Sequence, residues 1–279
     1  LKSRILLCCF LSVAALSASA QRCDLGAWLG GADYFGDLNT HTSLRFVNPA
    51  AGFFTRYNFD NRISLRFNLD GGHVWADDQY SHVYYERTRN LGFSSMIYEV
   101  SGQFEFNFLP YDNTYSNPYQ EKHSYSPYIF LGFGVFHFNP KAKYNGEMVE
   151  LQPLGTEGQG YPEYPDLKKY KRTSSAWLLG GGMKWRVTKK LGMQAEAGIR
   201  KTYTDYLDDV SGVYADPIVL LHEGGPEVAF LADPSVTVTG EPVGEPGKMR
   251  GDNSKSDDYL FFGLGFIYTI KNYKCPYQH

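Results

Sequence analysis

The residues of this 279-residue chain that could do chemistry fall into three sets. The first is Arg56, Arg66, Asp70, Glu99, Glu105, Lys184, Glu196 and Arg200, charges interleaved with bulky apolar residues. Four are positive and four negative, so they can neutralise one another. The second is Asp208, Asp209, Ser211 and His222, types that barrel proteases and acyltransferases mount on loops. Acidic loops are more often simply solvated, and the expectation is a protein that is not an enzyme. The third is Cys23 and Cys275. His41, His73, His82, His123, His137, His222 and His279 are scattered, without the close spacing a metal centre needs. No nucleophile elbow, glycine-rich phosphate loop or zinc-type histidine pair occurs, and no metal or cofactor is expected.

The elements that carry the first set are strands. In residues 96–108, Tyr98, Val100, Phe104, Phe106 and Phe108 share one face, and Glu99, Ser101, Gln103, Glu105 and Asn107 share the other. Side chains alternate across a strand, so the segment has one apolar and one polar face. Residues 63–70 and 193–200 repeat the pattern. Further strands are predicted over 24–35, 48–59, 126–139, 174–187 and 258–270. Many of these eight are longer than the five or six residues of an ordinary soluble strand and match the roughly nine to eleven of a tilted membrane-spanning one. A lipocalin-like soluble barrel would turn its apolar faces inward. Trp75, Trp177, Trp185, Tyr259 and Tyr268 near strand ends favour the membrane version. The predicted fold is therefore all-β, an eight-stranded antiparallel transmembrane β-barrel. So narrow a barrel is filled by side chains, and the eight inward charges are expected to pair as a plug.

Composition agrees with this class. Aromatic residues make up 16% of the chain, far above a disordered segment, and Gly 29 with Tyr 22 suits strands and turns. A net charge of -3 without a basic block argues against nucleic acid as a partner. Lys2 and Arg4, the apolar run Ile5 to Leu16, and Ala18-Ser19-Ala20 read as a signal peptide over 1–20. The barrel then occupies 21–279. Removal of the signal peptide takes away Lys2 and Arg4 and no acid, and the segment is expected to send the protein out of the cytoplasm.

Connection lengths predict an orientation. Asp60-Asn61-Arg62 and Thr188-Lys189-Lys190-Leu191 are tight turns, whereas the connections 140–173 and 206–257 are long. Bacterial barrels keep short turns in the periplasm, so both termini are expected there. Residues 109–125 break the rule, and are either a plain Pro/Asn/Tyr loop or a periplasmic docking surface. Cys23 and Cys275 flank the seam of a closed barrel in an oxidising compartment, and are expected to bond to each other or to a partner.

Three stretches carry a family resemblance. Residues 32–39 (ADYFGDLN), 205–214 (DYLDDVSGVY) and the closing strand 259–269 (YLFFGLGFIYT) resemble the PorG-like β-barrel proteins of the type IX secretion system. The first two also occur in non-secretory relatives, so the resemblance carries the fold further than the role. It implies an outer-membrane barrel, set among outer-membrane lipid, that contacts a periplasmic ring built of a lipoprotein and its partner and assists protein export. A passive barrel or surface adhesin is the alternative; an adhesin would place its contacts on 140–173 and 206–257.

Overall fold

The computed structural model describes residues 23–40, 44–111, 124–188 and 190–270. Eight antiparallel strands form the wall: β1 (Cys23–Phe35), β2 (Asn48–Asn58), β3 (Ile63–Asp77), β4 (Gly92–Asn107), β5 (Tyr125–His137), β8 (Thr173–Arg186), β9 (Leu191–Thr202) and β10 (Asp258–Thr269). Each pairs with its neighbour in sequence order around the wall. The first and last then meet from Asp24 opposite Thr269 to Phe35 opposite Asp258, which closes the sheet and leaves no edge in the wall. A separate hairpin, β6 (Lys141–Tyr144) and β7 (Glu147–Glu150), joins the wall where Ser94 of β4 pairs with Lys141.

Two features extend beyond the sequence reading. β3 and β4 run well past residues 70 and 96, pairing as far as Asp77 with Gly92. The alternation that marks the strand continues through Gly71-Gly72 in Val74 and Ala76, which are too small to stand out as a hydrophobic stripe. The long connections also hold secondary structure, including helices α1 (Tyr84–Arg89) and α2 (Pro226–Ala232). The tight turns form as their residue types dictate. The Asp60 carboxylate accepts from the backbone N–H of Arg62 and Ile63 at 2.7 and 2.8 Å, and the Thr188 hydroxyl accepts from that of Leu191 at 3.0 Å. These turns lie at the same end of the barrel as the start of β1 and the end of β10.

The wall faces outward with its apolar residues. Leu29 and Phe53 are each 70% exposed, and Phe67, Leu69, Val100, Phe104, Leu131, Leu179, Leu264 and Phe266 are exposed with them. A continuous apolar belt of this kind would be unstable in water and is what a bilayer covers. The interior has two storeys. Toward the turn end it is charged. Toward the loop end it is an apolar core of Ala32, Tyr34, Val74, Phe93, Ile97, Phe136, Tyr259 and Phe261 that continues into Phe138, Leu207 and Val210 of the connections.

The belt yields a test. Phe53→Arg or Leu131→Arg should lower the stability of the barrel refolded into phospholipid vesicles by about 2–4 kcal/mol, as a cation at the bilayer midplane does. In a water-soluble barrel the same changes would be neutral in a urea titration.

Candidate functional site

The charged storey is built on inward-facing residues of all eight wall strands. Glu105 sits at its centre, within 2.8 Å of the Arg56 guanidinium, 3.1 Å of Arg66 and 2.6 Å of the Lys184 ammonium. Arg56 also reaches Asp24 at 3.6 Å and donates to the Gln194 side chain at 2.8 Å. Arg66 donates to Glu196 at 2.6 Å, and Tyr128 donates to the same carboxylate. One level up, Arg200 contacts Glu99 at 3.1 Å and Asp70 at 3.8 Å. Tyr259 donates to Glu99, and the Trp28 indole N–H to Asp70, each at 2.7 Å. The eight sequence-selected charges thus meet in two stacked groups, Arg56, Arg66, Glu105, Lys184 and Glu196 with Asp24 added below, and Asp70, Glu99 and Arg200 above. Asp24 escaped the sequence reading because glycines blur the alternation along β1.

Aromatic rings fill the space between the ions. The Phe54 ring lies 5.0 Å below both the Arg56 and Arg66 guanidiniums, and Tyr128 lies 4.2 Å from the Lys184 ammonium. Gly26 makes this possible, since a Cβ there would stand 2.1 Å from the Phe54 ring. The gap beside Trp28, Asp70 and Arg200 is about 10 Å³, room for about one water.

The second set of residues is separated by the fold. Asp208 and Asp209 are each 1% exposed, not solvated as expected of an acidic loop. The Tyr34 hydroxyl of β1 holds Asp208, and the hydroxyls of Thr156 and Tyr170 both donate to Asp209 at 2.6 Å. Ser211 donates to Asp205 at 2.6 Å. The His222 imidazole is exposed and pairs with Glu223. No hydrogen bond joins His222 to the other three among the described residues. Nor do the described residues hold a group of three or more His, Cys, Asp or Glu arranged for a metal. Cys23 opens β1; Cys275 and most of the 109–125 connection lie outside the described residues, as does the 1–20 segment.

These buried acids instead fasten a cap over the barrel mouth. The Tyr34 phenol lies 2.6 Å from Asp208 and 2.8 Å from Asp257, but it has one proton to give. For both contacts to be hydrogen bonds, one of the two carboxyls must itself carry a proton. Burial holds both well above the ordinary carboxylate range, reinforced by Asp37 near Asp208 and by Asp208 beside Asp257. Burial also pushes Asp205 up to about 7 and Asp209 up to about 6. Two arginines complete the cap. Arg89 of α1 forks onto Asp78 at 2.7 and 2.9 Å, with further bonds to the carbonyls of Arg250 and Asp37. Arg250 contacts Glu157 at 3.1 Å and donates to the Asp209 carbonyl at 2.7 Å. Glu157 in turn accepts from the backbone N–H of Ser211 and Gly212, each at 3.0 Å. Nothing in the periodicity of the sequence marks Asp78, Arg89, Glu157 or Arg250, because loop residues have none.

A closed eight-stranded barrel with an apolar outer belt, a packed charged lumen and a folded cap is an outer-membrane type of β-barrel. The chain belongs to the DUF6089 family, a domain of unknown function whose model matches residues 3–152. No curated protein matches it. Among solved structures it is similar to Neisserial surface protein A, with a TM-score of 0.42, 10% identity, and 88% of this chain and 96% of that one covered. It is also similar to Ail, the attachment invasion locus protein of Yersinia pestis, with a TM-score of 0.39, 10% identity, and 88% and 97% covered. For the outer membrane protein OprG of Pseudomonas aeruginosa the values are 0.38, 7%, 88% and 96%.

Glu105→Gln leaves three buried cations short of their shared anion and should cost about 3–5 kcal/mol in equilibrium unfolding from vesicles. Glu150→Gln, which removes an exposed partner of Arg172, should cost about 0–1 kcal/mol. The cap should respond to pH through its raised carboxyls. Closed, they bind protons they would release on exposure, so this support is complete below the ordinary carboxylate range and is lost as pH rises through about 6 and 7. Proteolysis within 203–257, normalised to a denatured control, should be faster at pH 8 than at pH 5; equal rates would remove the carboxyls from the cap's stability.

Proposed function

We propose that the chain is a non-conducting barrel of the bacterial outer membrane that acts as a platform in type IX protein secretion. The observation that carries the platform reading is the packed lumen. With Glu105 wedged among three cations and aromatic rings between them, the interior suits a rigid anchor better than a passage. In this reading the termini and the turns at 59–62 and 187–190 face the periplasm, where they contact the ring lipoprotein and its partner. The cap faces outward.

Support for the secretion role comes from the resemblance in residues 32–39, 205–214 and 259–269. Two of these stretches meet at one joint, where Tyr34 bonds Asp208 beside Asp257 at the root of β10. A shared joint favours a shared fold and leaves the role to experiment. The adhesin reading has its own motive in Tyr84, Ile218, Val238 and Met249, all strongly exposed on the cap.

Deletion of the gene should lower export of type IX cargo while other outer-membrane barrels still insert. Recovery of the tagged protein in mild detergent should bring the ring lipoprotein with it. Normal export from the deletion strain, with loss only of surface attachment, would favour the adhesin.

A further inference from the structure

A cleft of about 390 Å³ lies at the side of the barrel mouth, apart from the lumen network. Its size falls within the range of small-molecule sites. Trp75, Phe93, Met148 and Phe230 supply apolar walls, and Lys141 and Lys143 of β6 stand among its lining. The cleft arises because β4 pairs with β5 only from Tyr98 to Asn107 and gives its upper edge to the hairpin at Ser94. Trp75, Ser94 and Lys141 therefore lie side by side on β3, β4 and β6. Along β4, Ser94 is followed on the same face by Met96, Tyr98 and Val100, which belong to the exposed apolar belt. Trp75 and Ser94 thus line the cleft from the face that carries the belt, while Ala76 and Phe93 line it from the inward face.

Its charges are asymmetric. Lys141 is shared with Glu150 at 3.5 Å, an acid already held by Arg172 at 2.7 Å. Among the described residues, no carboxylate lies within ion-pair distance of Lys143. On the acidic side, the Asp77 carboxylate is engaged by the Gln79 backbone and side-chain N–H groups at 2.9 and 2.7 Å, and Asp208 is buried against Tyr34. Arg250 is buried among Glu157 and backbone carbonyls. The Gln79 donors are neutral, so Asp77 keeps its charge, and the accessible charge is Lys141 and Lys143 on the hairpin side against the single carboxylate of Asp77 on β3.

We infer that this cleft binds an anionic amphiphile, seating its acyl chain between Trp75, Phe93, Met148 and Phe230 and its acidic head against Lys141 and Lys143. The chain could come from a membrane lipid or from a free fatty acid; both present the same chemistry. The inference rests on the membrane-embedded reading of the belt, and the test separates the two.

The full-length protein, in nanodiscs of phosphatidylcholine, is exposed to photoreactive palmitate, photoreactive phosphatidylglycerol or a photoreactive phosphatidylcholine, and labelled peptides are mapped by mass spectrometry. The expected result is labelling of the Trp75, Met148 or Phe230 peptides by an anionic probe above the phosphatidylcholine background. Paired Lys141→Gln and Lys143→Gln changes should reduce that labelling about tenfold, with heat-modifiability on gels unchanged. Labelling by phosphatidylglycerol identifies a membrane lipid, and labelling by palmitate alone a free fatty acid. Belt peptides around Val100 and Leu131 labelled without the cleft, or cleft labelling indifferent to the lysines, overturns the inference while sparing the membrane reading. Absence of label from the belt overturns the membrane reading itself.

Discussion

Eight strands enclose a lumen about as wide as the side chains that line it, and any charge placed there must find its counter-ion inside. Glu105 meets that constraint most directly, because it serves Arg56, Arg66 and Lys184 at once. Removing a single carboxylate would leave three cations from three strands facing one another. The rest of the lower interior is arranged around this contact. Phe54 sits against two of the guanidiniums, Gly26 leaves space for the ring, and Glu196 accepts from both terminal nitrogens of Arg66. Because the partners come from different strands, the network also fixes the register of the wall from inside, while the belt fixes which face meets lipid.

The upper interior solves a different problem. There the wall rises above the charged storey into an apolar core, and the connections must cover it. They do so with buried polar anchors: Tyr34 between Asp208 and Asp257, Arg89 on Asp78, and Arg250 on Glu157. The cap is therefore part of the folded unit, held by bonds that join residues more than a hundred positions apart, such as Tyr34 and Asp208. Such contacts tie the mouth of the barrel to its loops, and Phe138, Leu207 and Val210 of the connections pack into the same apolar core as the wall.

The wall was largely legible in the sequence. Segments such as 63–70 and 96–108 alternate because one face must meet lipid and the other must pack inside, and that requirement leaves a period of two. The lumen charges were legible for the same reason, since Arg66, Glu99, Glu105 and Arg200 interrupt runs of apolar residues on the inward face. Asp24 was not, because its β1 neighbours are small. The cap was invisible: Asp208 and Asp209 look like solvated loop acids, and only three-dimensional closure brings Tyr34, Thr156 and Tyr170 to them. The hairpin 141–150 was hidden as well, being two four-residue strands with no room for a periodic signal.

The central claim is that the lumen is closed by its own ion pairs. Single-channel recording of the purified full-length barrel in planar bilayers tests it most directly. The account predicts insertion, confirmed by heat-modifiable mobility of the recovered protein, without stable ion conductance. A steady, large conductance from inserted wild-type protein would show that the network around Glu105 does not fill the lumen, and would contradict the account.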